Sequence, residues 1–312
     1  MVLSAEFLIG IVVGAIRLAS PLTLAALGEI FTERSGVLNL GIEGMMLIGA
    51  FSGYVGCYFT GNPWVGVIAG MIGGGLMALL FAFVSVTLQT NQVVNGLAVW
   101  ILGLGLSSFL FKACFGVGSA LPPAVKGFES INIPVLSQIP VLGPILFHHN
   151  ILVYLMVFLL VISWIVLFRT TLGLKIVSCG ENPKAADVAG VNPFHIRYLC
   201  TIFGGMLAGL GGAYLTLAYT SMFLEGLTAG RGWIVLALVI LSSWNPSRVL
   251  WAGLLFGGVD AIQLRLQAIG IGVPYQFLLM TPYILTIIIQ VGLIIRLRVN
   301  PPESLGKPYK RE

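Results

Sequence analysis

Long apolar runs separated by short polar breaks dominate this chain, and that alternation predicts its elements before any motif is read. A helix needs roughly 20 apolar residues to cross a bilayer. By that measure crossings fall at 8–27, 45–59, 64–88, 93–115, 151–168, 198–221, 232–241, 249–268 and 276–295. That makes about nine (eight to ten, since the run at 232–241 is short). The predicted fold class is an all-α integral membrane protein, a polytopic helix bundle forming one transmembrane domain over residues 1–312. Helix starts are marked by Asn62-Pro63, Asn182-Pro183, Asn192-Pro193 and Asn245-Pro246. Asparagine accepts from the first free N–H groups, and proline at the first helical position gives up no bond. Two of these pairs bracket a short helix at 184–189, closed by Gly190, the residue type favoured where a helix ends. A loop that merely connects has no need of two caps, so an ordered element is expected there.

Composition agrees with the pattern. Of the 312 residues, 58% are hydrophobic and 9% charged, with a mean hydropathy of +1.01. So little charge cannot coat a soluble globule of this size. A cytosolic enzyme is thereby excluded. The net charge of +5 does not point to nucleic acid, because nine of the 16 Lys and Arg residues lie in two blocks, 169–197 and 296–311. Such clustering marks cytoplasmic segments of membrane proteins. Both blocks are therefore expected in the cytoplasm, the C-terminal tail 296–312 included. The proline-rich, charge-poor loop 119–150 and the N-terminus are expected outside. The first run has Glu6 before Arg17 and no small-residue cleavage site, so it reads as a retained helix rather than a signal peptide. Cys57, Cys114, Cys179 and Cys200 have no metal or disulfide spacing.

Small residues recur at the spacing that lets helices approach closely in lipid: Gly66, Gly70 and Gly74, then Gly204, Ala208 and Gly212, with Gly205 and Gly209 beside them. Polar groups inside spans are costly and mark internal contacts or a path. Asp260, Gln263 and Gln267 share one face of the eighth crossing, while Asn91, Gln92 and Asn95 cluster at the mouth of the fourth. Asn39, Gly41 and Glu43 lie in a glycine-interrupted stretch between Gly36 and Gly44, read as a discontinuous helix. A break at membrane depth is tolerated where it is buried in protein or lines a cavity. The candidate translocation path is thus Asn39, Gly41, Glu43, Asn91, Asn95, Asp260, Gln263 and Gln267. Hydrogen bonds that merely pin helices are the structural alternative for each. Trp100, Tyr219 and Trp233 are able to stack on a ring-shaped solute or to anchor helices at the interface. No phosphate-binding loop and no HExxH motif occur, and His148, His149 and His195 sit at membrane edges, so no metal is expected.

Several segments together resemble one family. Gly180-Glu-Asn-Pro-Lys-Ala-Ala-Asp-Val-Ala-Gly190, followed by Phe203-Gly-Gly-Met-Leu-Ala-Gly-Leu-Gly-Gly212, is similar to the cytoplasmic signature of ABC-importer permeases for branched-chain amino acids, simple sugars and nucleosides. Glu33-Arg-Ser-Gly-Val-Leu-Asn-Leu-Gly-Ile-Glu-Gly44 and Ala229-Gly-Arg-Gly-Trp-Ile-Val-Leu-Ala237 resemble the nucleoside and simple-sugar branch. So do Trp244-Asn-Pro246, Leu255-Phe-Gly-Gly-Val-Asp-Ala261 and the pairs Pro274-Tyr275 and Pro282-Tyr283. Ser242-Ser243 replaces the family's usual Gly-Gly or Gly-Lys. The likeness covers nearly the whole chain in consistent order.

The resemblance implies a transport subunit that is not itself an enzyme and binds no cofactor, with ATP and Mg held by a separate ATPase chain carrying two nucleotide sites. It further implies a second related permease chain, most simply in a heterodimer, and a binding lipoprotein or periplasmic binding protein. The place is a bacterial-type inner membrane. The short helix of the doubly capped loop 182–193, within the cytoplasmic coupling segment 169–197, would dock into the ATPase, with Gly180, Asn182, Pro183, Ala185, Ala186 and Gly190 as the coupling residues. Ala185, Ala186 and Ala189 are expected to form the small apolar docking surface. Two alternatives stay open at this point. One is a branched-chain amino acid permease of the same family, and the other an ion-coupled secondary transporter with Asp260 or Glu43 carrying the proton.

Overall fold

The structure is a computed structural model that describes residues 5–116, 122–132, 137, 139–269, 274–296 and 300–311. The chain opens with α1 (Ala5–Arg34), α2 (Ile42–Thr60), α3 (Pro63–Ala82) and α4 (Gln92–Phe115). A connecting region follows, built of β1 (Ser130–Asn132), α5 (Leu142–Leu146) and β2 (His148–Asn150). Then come α6 (Ile151–Arg169), α7 (Thr171–Glu181), α8 (Pro183–Val188) and α9 (Pro193–Tyr214). Last are α10 (Arg231–Leu241), α11 (Pro246–Ile269), α12 (Tyr275–Leu279) and α13 (Thr281–Arg296). Seven of these helices, among the described residues, are long and apolar enough to cross a membrane. Two shorter apolar helices, at Arg231–Leu241 and Gln276–Ile289, occupy the other two predicted positions. The all-α membrane bundle read from the apolar runs is therefore the fold observed. Parts of the predicted outer loop (119–121, 133–136 and 138) and of the tail (297–299 and 312) lie outside the described residues.

The Asn-Pro pairs act as expected. Asn62 Oδ1 accepts from Trp64 N at 2.9 Å, Asn192 Oδ1 from Phe194 N at 3.0 Å, and Asn245 Oδ1 from Ser247 N at 3.1 Å. Helix ends at α3 and α9 widen into single π-turns, Phe83–Thr87 and Leu215–Tyr219, whose wider ring lets the chain turn away while its carbonyls stay bonded.

Helix α9 runs through the middle of the bundle and packs on α1, α2 and α3. Its glycines make that possible. A methyl group on Gly209 would strike the Gly70 carbonyl oxygen, and one on Gly49 would strike the Gly209 backbone. A Cβ on Gly74 would likewise overlap Gly205 and sit 2.7 Å from the Gly209 Cα. The small-residue rows seen in the sequence are thus a three-helix seam in which backbones touch. Outward faces carry exposed apolar side chains such as Ile72, Leu76, Ile101, Phe109, Phe158 and Trp251, as a lipid-facing surface requires.

The two ends of the bundle differ. At one end β1 and β2 form an antiparallel hairpin with Ser130 opposite Asn150. There Tyr54 Oη donates to Pro123 O at 2.8 Å. Backbone bonds add to it, from Phe128 N to Leu217 O at 2.7 Å and from Val125 N to Ser221 O at 2.9 Å. Together they lay the loop over α2 and the end of α9. At the opposite end the tail folds back on α7, α8 and the start of α9. Ser304 N donates to Gly180 O at 2.9 Å, and Tyr309 Oη donates to Asp187 Oδ2 at 2.8 Å. The block 169–197 and the described tail residues 300–311 therefore share one end of the molecule, and the described part of the proline-rich loop occupies the other.

Between α6 and α9 the structure holds two helices where the sequence pointed to one. The short helix α8 is as expected, but α7 precedes it directly, capped by Thr170 Oγ1 accepting from Gly173 N at 3.3 Å. At 11 residues α7 is too short to register as an apolar run.

Candidate functional site

The break between α1 and α2 is real and buried. Residues 35–41 leave the helix, with Gly36 at φ +92°, and Ser35, Val37 and Asn39 have no access to solvent. Backbone groups freed in a buried stretch need internal partners. Side chains supply them: Asn39 Oδ1 accepts from Gly41 N at 3.0 Å, and Gln92 Oε1 on α4 accepts from Leu38 N at 2.8 Å. Asn39 Nδ2 in turn donates to Glu29 Oε2 at 3.0 Å.

Glu43, in the first turn of α2, reaches a second irregular stretch just before α10. Its Oε1 accepts from Thr228 Oγ1 at 2.6 Å and from Gly230 N at 2.8 Å, while its Oε2 accepts from Gly232 N at 2.5 Å. One carboxylate thus serves the free N–H groups at the start of α10, where the helix dipole favours negative charge. The two interruptions of the bundle are latched to each other by this side chain. With three donors converging on it, the Glu43 carboxyl has the geometry of a fixed acceptor that holds the two stretches together.

The other candidate path residues divide. Gly41 is buried, and a methyl there would lie 2.9 Å from Val99 Cγ1, so it serves close packing of α4 rather than an open wall. Asn91 is exposed and caps α4 through Val93 N at 2.9 Å and Val94 N at 3.2 Å. Asn95 Nδ2 donates to Ser85 Oγ at 3.1 Å and to Thr90 Oγ1 at 2.7 Å, fixing the turn that leads into the same helix. Asp260 and Gln263 do come together, lining a cavity of about 130 Å³ with Tyr219, Arg231 and Tyr283. Gln267 stands one turn further along α11 and does not line that cavity. Trp100 and Trp233 pack edge to face on each other, ring centroids 5.3 Å apart.

The sequence reading passed over two buried carboxylates. Glu29 and Glu33 are fully enclosed on α1, whose predicted crossing stopped two residues short of Glu29. The apolar run in fact continues through Ile30 and Phe31, and that continuation was the available signal. Glu33 Oε2 accepts from Trp244 Nε1, and Arg34 Nε donates to Trp244 O at 2.8 Å while its guanidinium lies 5.2 Å over the Phe168 ring. The end of α1 is thereby tied to the α10–α11 turn. Among the described residues no three His, Cys, Asp or Glu side chains gather into a metal site.

At the basic end, Asn182 Oδ1 accepts from Ala185 N at 3.0 Å, Pro183 takes the first helical position of α8, and Gly190 adopts φ +85°. A methyl on Gly180 would collide with Arg34 O, so this glycine is needed for the contact between α7 and α1. Ala186 corrects an expectation: it is 4% exposed and packs into the main apolar core, so it is no part of an outward surface. The outward face of α8 is Ala185, Ala189 and above all Val188, which is 91% exposed. Helical spacing explains the difference, since Ala186 and Val188 stand about 200° apart on a helix of 3.6 residues per turn.

Residues 11–294 match the family described as the permease component of the branched-chain amino acid transport system. A protein of Haloferax volcanii provisionally named a glucose ABC transporter permease is 38% identical, over 98% of this chain and 99% of its own. The guanosine ABC transporter permease of Bacillus subtilis is 37% identical over 93% of each chain. The nucleoside ABC transporter permease of Lactococcus lactis is 35% identical, over 89% of this chain and 90% of its own. Among solved structures, an inward-facing ABC transporter provisionally classed as metal-chelate type aligns with a TM-score of 0.50 at 18% identity, covering 92% of this chain and 85% of that one. That likeness concerns the fold alone. Matched over nearly its whole length, the chain belongs to the permease-component family of branched-chain amino acid transport systems, a multi-pass membrane subunit of an ABC importer and not an enzyme.

Proposed function

We propose that this chain is one half of a permease pair that passes a nucleoside or a simple sugar from a binding protein across a bacterial-type inner membrane. The relatives' names support that substrate class over branched-chain amino acids. In this reading the basic end, with the tail, faces the cytoplasm, and the hairpin end faces the binding protein. The partner permease is a related but distinct chain, and ATP and Mg sit on the ATPase. The cavity at Asp260 and Gln263 borders the path, while Asn39, Gly41, Glu43, Asn91 and Asn95 shape the elements around it.

One observation carries the coupling assignment: α8 anchors Ala186 inward and thrusts Val188 outward from a helix capped on both sides. A rigid helix fixed at its inner face transmits a push, and an exposed apolar residue at its tip fits an apolar groove on the ATPase. Val188→Asp places a charge in that groove, where an unpaired buried charge costs several kcal/mol. The variant is expected to insert and fold normally while losing co-purification of the ATPase and uptake of labelled guanosine and glucose. Full ATPase capture by Val188→Asp would remove α8 from the docking surface. Orientation is tested alongside by single cysteines at Lys126, Lys184 and Lys310 with an impermeant thiol reagent on intact cells: position 126 labels, and 184 and 310 do not.

A further inference from the structure

Arg197 stands near the start of α9 and is 2% exposed, a position where a cation needs acceptors from the protein. It has three, from two remote parts of the chain. Nε donates to Ser35 O at 3.2 Å, in the break after α1. Nη1 donates to Lys307 O at 3.1 Å and Nη2 to Ser304 Oγ at 3.2 Å, both in the tail. Ser304 passes the connection on, its Oγ donating to Gly180 O at 2.6 Å, at the end of α7. Gly36, at φ +92°, is pressed so closely that an added Cβ would lie 2.8 Å from Arg197 Nη2. Beyond this hub the tail also holds α8: Asp187 accepts from Tyr309 Oη at 2.8 Å and pairs with Arg311 Nε at 2.9 Å.

A planar guanidinium with donors in a fixed fork transmits displacement between its acceptors better than a flexible ammonium does. We infer that Arg197 is a positioning residue that, through Ser304 and the C-terminal tail, couples movement of α7 and α8 to the break at 35–41. This inference rests on the proposed docking of α8. It gives the tail a mechanical task, bracing the helix that receives the ATPase and linking it to the interrupted segment beside α4.

The test uses the permease–ATPase complex in proteoliposomes, with Cys114→Ala to remove the exposed thiol and Leu40→Cys as a reporter in the break. The labelling rate of position 40 is measured with and without ATP plus vanadate. The reference complex should show a nucleotide-dependent change in rate. Arg197→Lys and Ser304→Ala should each shrink that change roughly fivefold or more, the lower end of ordinary coupling between sites, while ATPase capture and basal ATP hydrolysis persist. Ser304→Thr, which keeps the hydroxyl, should restore it. The double variant should lose no more than the stronger single one, because both break the same bridge. A purely structural role would lower capture and hydrolysis together and leave the nucleotide response of assembled complexes intact. That result, additive losses, or a reference complex with no response would each overturn the inference. Failure of the docking assignment is separate, since it shows as normal ATPase capture by Val188→Asp.

Discussion

Replacing Glu43 is the sharpest probe of how the two interrupted segments are held together. In Glu43→Gln the retained oxygen still faces Thr228 and Gly230, but the new amide nitrogen faces Gly232 N, one donor against another. Leaving a buried N–H without an acceptor costs about 1–3 kcal/mol. The two surviving bonds also lose their charge assistance, and charge-assisted bonds are roughly twice as strong as neutral ones. Together these predict a loss of roughly 2–4 kcal/mol for the glutamine variant. Glu43→Ala strands three donors and should cost at least about 3 kcal/mol. Thermal unfolding of the purified subunit in detergent, followed by tryptophan fluorescence, reads the order wild type, then Gln, then Ala, with each step a resolved drop in midpoint. A double-mutant cycle sharpens the result: Thr228→Val should destabilise the wild type by about 1 kcal/mol and the Glu43→Ala variant hardly at all. If Glu43→Gln unfolds at the wild-type midpoint, the latch is not what joins the breaks and the reasoning fails.

The glycine seam predicts that Gly209→Ala destabilises by at least 1–3 kcal/mol, roughly the usual range for overpacking, because the added methyl meets the Gly70 backbone rather than a movable side chain. Gly105→Ala, with nothing within 4 Å of its added methyl, should be neutral or slightly stabilising, and equal midpoints for the two variants would refute the seam. At the hairpin end, burial holds the His149 imidazole below its ordinary value of about 6.5, with Nε2 2.8 Å from Ile145 O. For a base whose folded pKa is depressed, the unfolded chain binds the proton more readily. Its contribution is therefore present above about pH 6.5 and lost as pH falls below it. Hydrogen exchange in β1 and β2, corrected for intrinsic rate, should accelerate from pH 7.5 to 5.5 in the wild type and less so in His149→Asn; identical profiles would refute the assignment.

What the sequence alone determined about this protein is what depends on near neighbours along the chain. The nine apolar runs, the four Asn-Pro caps and the small-residue rows were legible because each is a local pattern. A span is a matter of about twenty consecutive residues, a cap of two or three, and a close-packing row of every fourth. Tertiary structure decided the rest. The partners of Glu43 lie at 228–232, and those of Arg197 at 35 and 304–307, separations that no spacing rule reports. It also decided which side of a helix faces inward. In a soluble protein the polar face would show this, but lipid is as apolar as the core, so inward and outward faces of a membrane helix read alike. Ala186 and Val188 show the same ambiguity on a short helix outside the spans: both are small and apolar, and packing against the rest of the chain, not residue type, buried one and exposed the other.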